Sequence, residues 1–300
     1  MSIENTNYLI LDWGTTNFRA FAMSAEHELL ATQEHPMGIL QVEDGKFAES
    51  LEAILKDWLT NYSQLPVYMA GMIGSLKGWV NVAYAPTPVG AGDLIAKAHR
   101  FTLPWGPEAI IMPGVSHEYE GDKYDVIRGE EVQALGLAKL IDATDYEAIL
   151  PGTHSKHLLF KDGKLWSFAS FLTGELYSVI SNHMLLGRDL PKPCGDEQAF
   201  IKGVEDGQSG PFASRLFLAW TNRLFEKLSR EQIPDYLSGL LIGFELRELT
   251  SKKVYIVGGD TLSRLYQKAA TCLGIEATIA DGNACFLAGM TRLIEDLSND

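Results

Sequence analysis

The chain has 300 residues, 46% hydrophobic and 21% charged, the composition of a packed protein long enough for two domains of common size. A formal charge of -14 disfavours a protein that grips nucleic acid through clustered Lys and Arg, but it leaves room for an anionic substrate, because a few converging cations outweigh a distant negative surface. Cys194, Cys272 and Cys285 are odd in number and lack metal-ligand spacing, so they read as reduced thiols of a cytoplasmic protein. The N-terminal stretch has no leader pattern and no apolar run is long enough to span a bilayer, so neither a membrane nor a nucleic-acid partner is expected, while monomer and homodimer both stay open.

From Tyr8, the strings YLILDW, FRAFAM and HELLATQEH predict three strands joined by tight turns. Phe47 to about Tyr62 carries Leu51, Ile54, Leu55 and Trp58 at helical spacing, and Pro66 to Ala70 reads as a buried strand. A helical stretch, Glu130 to Ile141, precedes a second start near Tyr146, where EAIL, PGTH, SKHLLF, KDGK and LWSFASFL repeat the order strand, turn, strand, turn, strand. A helix from Asp235 to Glu248, the strand KKVYIV, a helix from Leu262 to Cys272, the strand EATIA and a helix from Asn283 to Leu297 complete an α/β pattern. This weak internal duplication divides the chain near Ala143, into domains 1–142 and 143–300.

The first turn, Asp12-Trp13-Gly14-Thr15-Thr16-Asn17-Phe18-Arg19, has the residue types a triphosphate needs. Gly14 permits close backbone approach, and Thr15, Thr16 and Asn17 present N–H and side-chain donors to phosphate oxygens. Asp12 suits a hydrated Mg2+, and Arg19 suits phosphate oxygens bound in a bidentate manner. The same residues would also serve an ordinary capped β-turn. In the second turn, Gly152 and Thr153 offer backbone contacts, Ser155 and Lys156 are phosphate or carboxylate partners, and His154 is a substrate candidate. A Ser-His hydrolase is the competing chemistry, but no GxSxG elbow stands out. Gly258 and Gly259, on a strand-to-helix turn, let the backbone lie against a base or ribose.

Phosphoryl transfer to an alcohol needs a carboxylate beside the attacking hydroxyl. Glu130 and Glu131, opening a helix about twenty residues before the second turn, are the candidates, although acidic residues there also satisfy a helix dipole. The glycine-rich loop Ala70 to Trp79 offers Gly74 and Ser75 as acceptor contacts, Lys77 as a cation and Trp79 as a ring to cover a sugar face. Arg128, Lys77 and Lys156 are each available to a substrate carboxylate.

The D-x-G-T-T-x-x-R turn resembles the actin-like kinase superfamily, and the Gly258-Gly259 and Asn283 to Gly289 segments are similar to its adenosine and connecting segments. Arg128 to Leu135 is similar to the G-D-Q-Q-A-A-L string of glycerol-kinase-like enzymes, which implies a catalytic role for Glu130, with Glu in place of Asp. Together LDWGTTNFRA, AGMIGSLKGW, MPGVSH, IRGEEVQALG, LPGTHSKH and FLTGEL resemble the 2-dehydro-3-deoxygalactonokinase family through most of the chain. The resemblance implies an α/β fold of two ribonuclease H-like (actin-like ATPase) domains with an interdomain nucleotide cleft. It also implies Mg2+ and ATP, and transfer of the γ-phosphate to the 6-hydroxyl of 2-dehydro-3-deoxy-D-galactonate. A kinase for another small sugar or sugar acid, an actin-like nucleotide-binding scaffold and a phosphatase of the same superfamily are the alternatives.

Overall fold

The computed structural model describes residues 3–299; Met1, Ser2 and Asp300, which fall in the expected end domains, lie outside the described residues. The chain opens with the expected meander, β1 (Tyr8–Trp13), β2 (Phe18–Met23) and β3 (Leu29–His35), paired antiparallel in turn. In β1 all but Asp12 is buried, the mark of a strand covered on both faces, whereas β3 is half exposed, as an edge strand is. Asp12 and Arg19 face each other in the β1–β2 register, so the pairing of the strands sets the carboxylate beside the guanidinium. Helix α1 (Phe47–Trp58) buries Phe47, Leu51 and Leu55 at helical spacing, and β4 (Val67–Ala70) runs parallel to β1.

The chain continues through β5 (Ala85–Pro86), α2 (Ala91–Lys97), β6 (His99–Thr102) and β7 (Glu108–Ile111), which completes a six-stranded sheet of order β3-β2-β1-β4-β7-β6. The hairpin β8 (Val115–Tyr119) and β9 (Lys123–Ile127) adds to β5 as a three-stranded sheet. Helix α3 (Glu130–Ile141) spans the residues its periodicity predicts. Next come β10 (Tyr146–Leu150), β11 (Ser155–Lys161), β12 (Lys164–Phe171), α4 (Thr173–His183), α5 (Glu197–Gly207), α6 (Phe212–Leu216), α7 (Leu218–Leu224), α8 (Ile233–Leu246), β13 (Lys253–Gly258), α9 (Asp260–Cys272), β14 (Glu276–Asp281) and α10 (Gly282–Asn299). The second large sheet has the order β12-β11-β10-β13-β14, and its β13 is parallel to both neighbours. Each sheet therefore sets three consecutive strands in reverse order and adds a parallel strand beside the first, the repeat that the sequence announces at Tyr8 and Tyr146.

The chain divides into two compact units: Met1–Asp145 with Phe160–Ser167 and Asn283–Asp300, and Tyr146–Leu159 with Phe168–Gly282. The first division falls three residues after the expected 142/143 boundary, and α10, expected in the second domain, belongs to the first unit. Glycine is the physical reason. A Cβ on Gly136 of α3 would lie 1.7 Å from the Cys285 carbonyl oxygen, and one on Gly289 of α10 would lie 2.0 Å from that of Val132, so the two helices meet backbone to backbone. Leu9, Leu11, Trp13, Phe18, Leu51 and Ile111 form part of the first unit's core, and Ile149, Val204, Ile242, Ile256 and Tyr266 part of the second's.

Gly136→Ala is expected to destabilise the protein by about 3 kcal/mol, since the added methyl has only backbone to displace. Gly92→Ala, on α2 where a Cβ would meet nothing within 4 Å, is expected to stabilise by about 0.5 kcal/mol. Urea unfolding midpoints of the two variants check both signs.

Candidate active site

The turn between β1 and β2 is closed by the Gly14 N–H donating to the Asn17 carbonyl at 2.9 Å, which leaves Thr15, Thr16 and Asn17 exposed. Gly38 supports the turn from behind: its N–H donates to the Thr16 carbonyl at 3.0 Å, and a Cβ there would sit 2.1 Å from the Thr15 carbonyl oxygen. The Trp13 indole N–H, donating to the Met37 carbonyl at 2.9 Å, fixes the approach of this segment. Arg19 pairs with Asp12 and also donates to the Asn283 amide oxygen, so its fork spans two side chains and its charge already faces a carboxylate. Asp12 is the only oxygen-donor acid predicted for metal, and no group of three or more His, Cys, Asp or Glu converges among the described residues. A single carboxylate suits Mg2+, which keeps most of its water and takes the rest of its ligands from phosphate.

The turn between β10 and β11 has the same kind of support. A Cβ on Gly174 would lie 2.4 Å from the Gly152 carbonyl oxygen, and the Glu175 N–H donates to the Thr153 carbonyl at 2.9 Å. Thr153 is exposed and Gly152 partly so. His154, half exposed, bonds to Glu175 at 2.7 Å, which joins two segments that the sequence flags separately. Lys156 is buried, with its ammonium donating to the His154 carbonyl at 3.1 Å. Ser155 corrects an expectation: its side chain is fully buried and donates to Glu245 at 2.6 Å, so its hydroxyl is committed inward and not to a phosphate.

Of the acceptor candidates, Gly74, Ser75 and Arg128 come together in the first unit, whereas His154 lies in the second. Gly71 (φ +93°) lies against Asp12, a Cβ there being 3.1 Å from Asp12 Oδ1, and a Cβ on Gly129 (φ +112°) would be 3.6 Å from Gly71 Cα. Asp12, the loop after β4 and the N-terminus of α3 are thus neighbours; the positive φ favours glycine at both positions, and at Gly71 the tight approach to Trp13 and Asp12 does so as well. Strand β9 delivers Arg128 directly before Gly129. Its guanidinium is buried, lies 4.4 Å over the Tyr84 ring and donates from Nη2 to the Val82 carbonyl at 2.9 Å, while Nε and Nη1 have no hydrogen-bond partner. Nη1 lies 2.8 Å from where a Gly74 Cβ would be, and Ser75 beside it has a buried hydroxyl that is likewise unpartnered. Lys77 is exposed on the same loop. Trp79 corrects an expectation, because its ring stacks on Phe47 and meets Phe101 edge-on at 5.1 Å, packed against the core and not turned to a sugar.

The two glutamates of α3 separate. Glu131 is 1% exposed, and both its oxygens accept from the Gly129 N–H at 2.8–2.9 Å. Burial, then the neighbouring Glu130 charge, pushes its carboxyl up to about 8. This removes Glu131 as a base, since a folded-back, buried carboxyl cannot reach an acceptor hydroxyl. Glu130, partly exposed, accepts from the Arg128 N–H at 3.0 Å and stays at the surface of the helix end.

In the second unit, Gly258 is partly exposed and Gly259 fully so at the start of α9, and a Cβ on Gly258 would be 3.8 Å from Pro151 and 3.1 Å from the Ser263 hydroxyl. Beside this turn lies a mainly apolar cavity of about 210 Å³, lined among others by Gly152, Thr173, Tyr177, Pro193, Leu262 and Tyr266. It is smaller than the roughly 300–1,000 Å³ of drug-sized sites, which suits a flat ring and not a whole nucleotide. The sequence reading missed this cavity, together with Gly38, Glu245 and the bond of Asn283 to Arg19. Only Gly38, a lone glycine nine residues before a helix, and Asn283, in the first turn of the last helix, had any signal.

Two glycine-supported turns on a mixed α/β frame, with a buried cation and a helix-end carboxylate beside one of them, are the equipment of a kinase. The sequence profile of the 2-keto-3-deoxy-galactonokinases matches residues 12–293, and the chain belongs to that family. It is similar to the 2-dehydro-3-deoxygalactonokinase of Escherichia coli K12, at 31% identity over 97% of this chain and 99% of the relative. A solved structure assigned as a 2-dehydro-3-deoxygalactonokinase from Sinorhizobium meliloti is similar at 26% identity and a TM-score of 0.89, covering 97% and 99% of the two chains. A likeness to (R)-2-hydroxyglutaryl-CoA dehydratase component A of Acidaminococcus fermentans, at 13% identity and a TM-score of 0.50, concerns the fold alone. The protein is a phosphotransferase, and among its described residues no helix is long and apolar enough to cross a membrane.

Glu131 is held neutral, so its contribution to stability is complete below the ordinary 4.5 and is lost as pH rises through about 8. Glu131→Gln, which keeps an acceptor for the Gly129 N–H, is expected to gain stability relative to the parent between pH 5 and 8.5. Urea unfolding at the two pH values measures the difference.

Proposed function

We propose that the chain transfers the γ-phosphate of ATP to the 6-hydroxyl of 2-dehydro-3-deoxy-D-galactonate, giving the 6-phosphate and ADP in D-galactonate catabolism. The observation that carries this reading is the buried Arg128 guanidinium beside Ser75, whose Nε and Nη1 have no hydrogen-bond partner, directly before Gly129 and the partly exposed Glu130 at the start of α3. A buried guanidinium with free N–H groups is costly unless an anion completes it, and a 2-oxo acid brings a carboxylate of matching planar geometry. Family membership supplies the substrate class.

In this reading the exposed donors of Gly14, Thr15, Thr16 and Asn17 bind phosphate oxygens, as do the backbone groups of Gly152 and Thr153, while Gly258, Gly259 and the cavity beside them receive the adenosine. Asp12, with its single carboxylate, would hold Mg2+ through water, and the ion supplies charge neutralisation at the transferring phosphoryl group when bound. Arg19 positions Asp12 and stands by for the charge that develops on the phosphate. Glu130 accepts the proton of the attacking hydroxyl, and Arg128 anchors the far, carboxylate end of the acceptor so that the hydroxyl is the end presented. The ribonuclease H-like, actin-like character of the two halves, a cytoplasmic location, reduced cysteines and a monomer or homodimer complete the proposal.

The test is ADP release with Mg-ATP and a panel of 2-dehydro-3-deoxygalactonate, its gluconate epimer, glycerol and hexoses. Turnover confined to the galactonate compound is expected, while turnover with another sugar alone would replace the substrate. Glu130→Gln should lower kcat by about 100-fold or more at little change in KM. Arg128→Lys, which keeps the charge but loses the fork, should raise KM for the sugar acid by roughly 30-fold and leave KM for ATP alone. Steady-state kinetics on the purified variants distinguishes the two.

A further inference from the structure

Glu245 is 2% exposed on α8, among apolar residues of the second unit. Among the described residues it pairs with no Lys or Arg; instead its carboxylate gathers four side chains from three other elements. Ser155 donates to Oε1 at 2.6 Å and His157, with its proton on Nε2, at 3.0 Å; Tyr266 donates to Oε2 at 2.6 Å and Thr173 donates to the same oxygen. Burial first, and the Glu245 charge next, hold the Tyr266 phenol far above its ordinary value, so it remains a donor.

What these donors support matters more than the bonds. Ser155 begins β11 immediately after the second turn. Thr173 opens α4 and precedes Gly174, whose backbone rests on Gly152 and Thr153. Tyr266 is on α9, the helix that Gly259 caps, and Tyr266 and Thr173 both line the 210 Å³ cavity. A carboxylate buried among hydroxyl and imidazole donors is an expensive way to join helices that Leu or Met would join as well, and it becomes economical only if the geometry it fixes is needed.

We propose that Glu245 is a positioning residue for nucleotide binding, setting the second turn on its two sides and the Tyr266 wall of the cavity through one buried carboxylate. The inference rests on the kinase reading and deepens it by dividing the labour: Glu245 governs the nucleotide, Arg128 the sugar acid. Neither the family match nor the turn motif assigns a role to α8.

The test compares the unsubstituted protein with Glu245→Gln by Mg-ADP thermal stabilisation and by separate KM values for ATP and for 2-dehydro-3-deoxygalactonate. Glu245→Gln keeps volume but accepts fewer of the donors, and it is expected to raise KM for ATP by about tenfold and to weaken Mg-ADP stabilisation, with KM for the sugar acid unchanged. Tyr266→Phe and Thr173→Val, which remove one donor each and open no large cavity, should show the same split to a smaller extent, and they carry the test if Glu245→Gln does not accumulate as folded protein. A lower unfolding temperature with both KM values unchanged, or with both raised alike, would overturn the proposal in favour of a merely structural network. No Mg-ADP stabilisation of the unsubstituted protein would instead overturn the nucleotide reading, and this proposal with it.

Discussion

Backbone pressed on backbone is the constraint from which the rest of the site follows. A Cβ on Gly38 would come within 2.1 Å of the Thr15 carbonyl, and one on Gly174 within 2.4 Å of the Gly152 carbonyl, so each candidate phosphate turn rests on a second glycine segment of its own unit. Such contact leaves no room for a side chain behind the turn and little freedom within it. A loop whose N–H groups must meet phosphate oxygens benefits from that rigidity, because ordering done during folding is not repeated on binding. The same device sets Gly71 against Trp13 and Asp12, and Gly129, directly before Glu130, lies in ordinary contact with Gly71.

Of the buried ionisable groups that flank these contacts, three are each held differently. Arg128 keeps two nitrogen positions without partners, Glu131 is folded onto the Gly129 N–H and held neutral, and Glu245 is surrounded by donors. Only the first is incomplete. Completed groups fix geometry, whereas an incomplete one leaves room for a ligand, and this difference is what the proposed division between a positioning carboxylate and a binding guanidinium rests on. Glu130 differs from all three in remaining partly exposed.

Much of the fold was legible because periodicity and turn chemistry agree along the chain: the helix from Glu130 to Ile141, the meander after Tyr8 and its repeat after Tyr146 all stand where their patterns put them. The place of α10 was not legible, since its small residues allow close packing without naming the partner, and the partner is Gly136, nearly 150 positions earlier. Within the site, the exposed donors Thr15, Thr16 and Asn17 lie where the first motif predicts. Ser155 and Trp79 went astray for one reason: a residue type states what a side chain can do, while burial decides which way it points. Glu245 left no local trace, because its four partners are distant in sequence and each looks ordinary alone.

The central claim is that both glycine-supported turns hold the nucleotide's phosphates, and amide hydrogen exchange with and without Mg-ADP tests it most directly. The account predicts slowed exchange at Gly14 to Asn17 and, in the same experiment, at Gly152 to His154, with the β9 segment before Arg128 unaffected until the sugar acid is added. Saturating Mg-ADP that left both turns exchanging at their free rates would contradict it.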